Sequence, residues 1–129
     1  MTATAIPPAR PAYSGMPAGD PGAVPRILVI DDDAGIRATF EEVLKSLGCN
    51  VVSAGDGEAG LSAIKQEAYE VVFVDYLLPK ANGLQIIDEV KAFHPETEVV
   101  MITGEGNEQI VRAAFKSGAM DYITKPVRL

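Results

Sequence analysis

Six side chains at four points of the chain are of the types that could manage a phosphoryl group: the run Asp31-Asp32-Asp33, then Asp75, Thr103 and Lys125. Carboxylates brought together at one edge of a fold cannot all stay ionised in a dry site without a compensating cation. Ligands that are all oxygen select a hard ion that keeps several waters, which points to magnesium held by Asp31, Asp32 and Asp75. Beside such an ion the Asp75 carboxylate could attack a phosphorus centre, because the cation offsets repulsion between two anions and clamps the phosphoryl oxygens. The Thr103 hydroxyl and the Lys125 ammonium would complete the shell around the equatorial oxygens. Taken singly, each residue has a plainer reading. A run of acids also serves as a solvated turn or a helix cap, and a Thr or Lys after a strand is ordinary surface.

What binds these residues into one set is the element that precedes each of them. Val71-Val72-Phe73-Val74 is an apolar run rich in β-branched residues that stops on Asp75, with Pro79 shortly after it. Ile27-Leu28-Val29-Ile30 runs into Asp31, Val99-Val100-Met101-Ile102 into Thr103 and Gly104, and Met120 to Thr124 into Lys125-Pro126. A shorter strand opens at Val51-Val52. Between them, apolar residues recur at helical spacing: Ile36, Phe40, Val43, Leu44 and Leu47, closed by Gly48; then Ala59, Leu61, Ala63 and Ile64 after the turn Gly55-Asp56-Gly57. Leu84, Ile86, Ile87, Val90 and Phe93 form the next, stopped by Pro95, and Ile110, Val111, Ala114 and Phe115 the last, closed by Gly118. Residues 79 to 83 read as a loop. Five strands alternating with helices predict an α/β, doubly wound, five-stranded parallel sheet, whose ligands bind outside the carboxyl ends of the strands.

At 129 residues and 13.6 kDa the chain has material for one such domain, from residue 26 to 129. Residues 1–25 carry six prolines and no periodicity, so they read as a disordered Pro/Ala/Gly-rich tail or linker. An alternative is that Ile6, Tyr13 and Met16 dock on an apolar patch. The net charge of −7 argues against non-specific binding to nucleic acid or an anionic membrane, and no segment is long and apolar enough to cross a bilayer. Cys49 is alone, which fits a reducing compartment and a small buried hydrophobe. His94, before Pro95 at a helix end, reads as a solvated cap rather than a phosphotransfer histidine.

Residues 26 to 126 resemble the receiver domain of bacterial two-component response regulators. The resemblance rests on Ile30-Asp31-Asp32-Asp33, on Val74-Asp75-Tyr76-Leu77-Leu78-Pro79 with Gly83 closing the loop, on Thr103-Gly104, and on Asp121-Tyr122-Ile123-Thr124-Lys125-Pro126. It implies a flavodoxin-like, CheY-like sheet of order 2-1-3-4-5. It implies Asp75 as phosphoacceptor, Mg²⁺ held directly by Asp32, Asp75 and the Leu77 carbonyl with Asp31 helping through water, Lys125 paired with the phosphoryl group, and a typically cis bond between Lys125 and Pro126. The new charge would draw the Thr103 hydroxyl inward and free space for the ring of Tyr122, so that these two residues form the switch. The implied partners are a sensor histidine kinase or phosphotransfer protein and an unidentified output partner, in the cytoplasm, with no reaction catalysed beyond the domain's own phosphorylation and dephosphorylation.

Three features depart from the family pattern. Leu77 is apolar where many relatives are polar, and Gly104 stands where Ala is common; both bear on access of water. The third lies after Lys125-Pro126, where relatives continue into a fifth helix and this chain has Val127-Arg128-Leu129. The expectation is a domain lacking that helix, with the sheet face beside the first helix open to a partner, a second copy or the tail. Two other function classes compete. An aspartate-dependent phosphatase would need a second acid at position 77, where Leu77 stands, and a degenerate receiver would act only in binding or dimerisation.

Overall fold

The computed structural model describes residues 23–104 and 107–129; the tail residues Ile6, Tyr13 and Met16 lie outside them. Every apolar run that stops on an acid, a hydroxyl or a lysine is a strand. β1 (Arg26–Ile30), β2 (Asn50–Ala54), β3 (Val71–Asp75), β6 (Glu98–Thr103) and β7 (Asp121–Thr124) pair in parallel in the order β2-β1-β3-β6-β7. Setting aside two very short strands, this is the predicted 2-1-3-4-5 order. The helices α1 (Ala34–Ser46), α2 (Gly57–Gln66), α3 (Gly83–Phe93) and α4 (Glu108–Ser117) make the crossovers.

Each helix starts where a side chain takes up its unpaired N–H groups. Asp33 caps α1 by accepting from the N–H groups of Gly35 and Ile36, and Asp56 and Asn107 do the same for α2 and α4. Asn82 and Gln85 form a reciprocal capping box on α3. The third acid of the Asp31-Asp32-Asp33 run is therefore a cap, while the first two remain for chemistry.

The period of two along the strands divides the core. Leu28, Ile30, Val72, Val74, Val99 and Met101 face Ile64 of α2, Ile86, Ile87 and Val90 of α3, and Ala114 of α4. Ile27, Val29 and Ile102 face Phe40 of α1, whose ring lies 4.8 Å from that of Phe73. On this second side Val71, Phe73, Ile123 and Val127 are only half-buried, packed against that cluster. Among the described residues no helix follows β7, as expected, and no helix is long and apolar enough to cross a membrane.

Three expectations need correction. Residues 79–83 are not simply a loop: β4 (Leu77–Leu78) and β5 (Ala81–Asn82) pair antiparallel around Pro79-Lys80, with Lys80 at φ 65°. Leu47, Phe93 and Phe115 do not join the core but are 72%, 49% and 46% exposed. Leu47 is the C-cap of α1 and Phe93 the last residue of α3, where the helical stripe has already turned off the sheet. His94 caps α3 but is half-buried, its Nε2–H donating to the Ile64 carbonyl at 2.9 Å, so a fixed contact replaces the solvated cap.

Candidate functional site

Because all five strands of the large sheet run the same way, their carboxyl ends lie along one edge. Asp31 follows β1 and is fully buried, Asp75 ends β3 and is 3% exposed, and Thr103 ends β6 and is fully buried. Register sets their relative heights. Asp75 lies opposite Ile102, so Thr103 is one residue further along, and Thr103 lies opposite Thr124, which puts Lys125 next in line. The Lys125 N–H donates to the Thr103 carbonyl at 2.9 Å, continuing the ladder past the strand end. The Lys125–Pro126 bond is cis.

The side chains meet at that edge. Lys125 Nζ donates to Asp75 Oδ2 at 3.2 Å and lies 3.4 Å from Asp31 Oδ2, so one ammonium bridges two buried carboxylates. Asp31 Oδ1 accepts from the Asp33 N–H at 2.9 Å, while its Oδ2, among the described residues, is buried without a hydrogen bond and is ion-paired to Lys125. Asp75 Oδ1 receives a long contact from the Leu77 N–H at 3.4 Å. Asp32 is exposed, and carboxylate oxygens of Asp31, Asp32 and Asp75 lie within 4.8 Å of one another.

The charge balance is uneven, with three carboxylates against one ammonium. Burial pushes the Asp75 carboxyl above its usual range and Asp31 adds to this, against the opposing pull of Lys125 and the Leu77 N–H. Burial alone would lower Lys125, but its bond to Asp75 and the charges of Asp75 and Asp31 outweigh it and hold the ammonium above its ordinary value. An all-oxygen donor set with one orphaned buried oxygen and one solvent-facing carboxylate suits a hard divalent cation. The residues present therefore fit Mg²⁺.

The predicted residues do not all meet at one point. Asp31, Asp32, Asp75 and Lys125 do, and Thr103 joins them by register. Leu77 is tied in through its main chain, while its side chain is 59% exposed. Tyr122 lies away from the edge, opposite Met101 in the ladder and edge-on to Phe115 at 6.3 Å. Among the described residues, a Cβ at Gly104 would meet nothing within 4 Å. Sequence reasoning overlooked Arg37, whose Nη1 donates to the Asp31 carbonyl at 2.7 Å. The available signal was a cation in the first turns of the helix that follows the acids.

Comparison with known proteins agrees with this geometry. Residues 27–129 match the family described as response regulator receiver domain. Over 102 residues the chain is 36% identical to the nitrogen assimilation regulatory protein NtrX of Azorhizobium caulinodans, covering 78% of this chain and 22% of that protein. A CheY-like receiver domain protein from Methanospirillum hungatei superposes with a TM-score of 0.79 at 28% identity, over 82% of this chain and 85% of that one. A response regulator protein from Burkholderia pseudomallei, solved with a phosphorylated aspartic acid, a calcium ion and citrate, superposes with a TM-score of 0.77 at 28% identity, over 81% of this chain and 61% of that one. The chain spans about a fifth to under a half of the length of the curated relatives it matches.

Proposed function

Because the chain belongs to the response regulator receiver domain family, we propose that it is a phosphorylatable switch in which Asp75 accepts a phosphoryl group from a histidine kinase, a phosphotransfer protein or a small phosphodonor. The observation that carries this reading is Lys125 bridging the buried carboxylates of Asp75 and Asp31 beside the solvent-facing Asp32. An Asp75 oxygen attacks phosphorus, an O–P bond forms, and the P–N or P–O bond to the donor breaks as the donor leaves with the electron pair. Asp31, Asp32 and Asp75, with the Leu77 carbonyl, would hold Mg²⁺, which supplies charge neutralisation for the two anions that must approach each other. Lys125 exchanges its bond to the Asp75 carboxylate for one to a phosphoryl oxygen, keeping its positive charge throughout. The similar Burkholderia pseudomallei protein, which carries a phosphorylated aspartic acid, supports the reading.

The same edge gives the switch its route outward. A phosphoryl group on Asp75 offers an acceptor to the hydroxyl of Thr103 one strand away, and movement there changes the packing available to Tyr122 on β7. Phosphorylated Thr103→Ala is expected to carry the same phosphoryl load as the wild type while the amide and ring resonances of Tyr122 stay at their unphosphorylated positions. A full Tyr122 shift in that variant would remove Thr103 from the route. The output partner and the cytoplasmic setting belong to the same proposal.

The direct test is intact-mass measurement after incubation with acetyl phosphate and Mg²⁺, followed by peptide mapping. One phosphoryl group on the peptide containing Asp75 is expected. A folded protein that takes up none would be a binding or dimerisation module instead.

A further inference from the structure

Asp31 is held from several directions at once. Its N–H donates to the Ala54 carbonyl at 3.1 Å, its Oδ1 accepts from the Asp33 N–H, and its carbonyl oxygen accepts from Arg37 Nη1 at 2.7 Å. The carbonyl of Asp31 belongs to the peptide plane that carries Asp32. Asp32 is exposed and cannot be positioned by burial, so where its carboxylate points follows from how that plane is set. Arg37 comes from the first turns of α1 and is half-buried. The same guanidinium lies along the turn between β2 and α2, where a Cβ on Gly55 would sit 3.3 Å from Nη1 and 3.7 Å from Cζ. Gly55 leaves room for the planar fork, and the fork holds the plane.

We propose that Arg37 is a positioning residue for the cation site: by clamping the Asp31 carbonyl against the Gly55 turn, it fixes the Asp31–Asp32 peptide so that both carboxylates face the same ion. The proposal rests on the reading that these acids bind Mg²⁺. It makes a prediction whose sign separates it from a simple charge effect. Taken only as a positive charge near the acids, Arg37 repels a divalent cation, and removing it would tighten binding. Taken as a clamp, it orients the ligands, and removing it weakens binding, by about tenfold on the scale seen when partners that orient metal ligands are lost. Lysine retains a charge and a donor but not the fork, so it restores part of the clamp.

The test is Mg²⁺ titration of the full chain, followed by amide NMR of residues 31–33 and 75–77, with circular dichroism to verify folding. Arg37→Met is expected to bind Mg²⁺ about tenfold more weakly than wild type, with Arg37→Lys between the two. Gly55→Val provides the second arm, because it keeps every charge and pushes the guanidinium aside; it too is expected to weaken Mg²⁺ binding. Unchanged or tighter binding in a folded Arg37→Met overturns the proposal. Should that variant fail to fold, Gly55→Val decides, and wild-type affinity there overturns it equally. A folded wild-type chain that binds no Mg²⁺ overturns the underlying cation reading and the positioning role with it, which is distinguishable from a loss confined to the variants.

Discussion

Asp75→Asn is expected to abolish the phosphoryl adduct completely and, in the metal-free protein, to raise stability. The first effect follows from chemistry, since an amide cannot form the acyl phosphate. The second follows from the Asp75 carboxyl being held above its ordinary range by burial and by Asp31, more than Lys125 and the Leu77 N–H can offset. A group whose folded pKa is raised contributes stability below its unfolded value, here 3.8, and loses it as pH rises through the folded value. At neutral pH the ionised carboxylate is therefore a net cost, which the neutral amide removes while still accepting from Lys125. The gain should be about 1 kcal/mol, or roughly 4 °C in Tm for a domain of this size. It should shrink as pH falls and Asp75 takes up its proton in the wild type. Melting curves of both proteins without Mg²⁺ at neutral and acidic pH provide the check. An adduct that survives the substitution would move the acceptor elsewhere, and a less stable variant would mean that the Lys125 ion pair outweighs burial.

Lys125 has a dependence of the same sign, in a far more alkaline window. Its raised pKa contributes stability that is fully present below its ordinary 10.5 and is lost only as pH climbs through the folded value. The bridging ammonium is thus intact across the physiological range.

The second large effect is expected at a residue with no chemistry of its own. Gly83→Ala should destabilise the domain by about 3 kcal/mol, a fall of roughly 10 °C in Tm, and reduce phosphorylation along with it. A Cβ at Gly83 would lie 2.6 Å from the Asp75 carbonyl oxygen and 3.0 Å from the Tyr76 Cα. Both are main-chain atoms and cannot swing aside. Nor can residue 83 move away, because its N–H donates to the Tyr76 carbonyl at 2.7 Å and the residue before it caps α3. The clash can be relieved only by shifting the strand end that carries Asp75. Gly104→Ala, where the added Cβ meets nothing within 4 Å, serves as the control and should be nearly neutral. Denaturant midpoints and phosphoryl occupancy under acetyl phosphate measure both effects. Equal midpoints for Gly83→Ala and the wild type would show that the loop after β3 yields without cost.

What could be read along the chain was local. An apolar run that stops on Asp31, Asp75 or Thr103 marks a buried strand and its end, because the period of two and the sudden change of polarity involve neighbours in sequence. The same holds for the helices and for the resemblance of the four strand-end motifs. Misreadings came where a local period was taken for burial: Leu47, Phe93 and Phe115 satisfy a helical period, yet each is left largely exposed, Leu47 and Phe93 because their helices end there. The short β4–β5 pair escaped notice because two-residue ladders have no period.

Sequence by itself thus determined which residues stand at the strand ends and which chemistry they could share. Tertiary structure alone decided that Lys125 reaches both Asp75 and Asp31 and that one Asp31 oxygen is left dry. The physical reason is that these contacts join strands and helices far apart in sequence. Their distances are set by strand order and register, which arise from packing both faces of the sheet at once and from no single stretch of the chain.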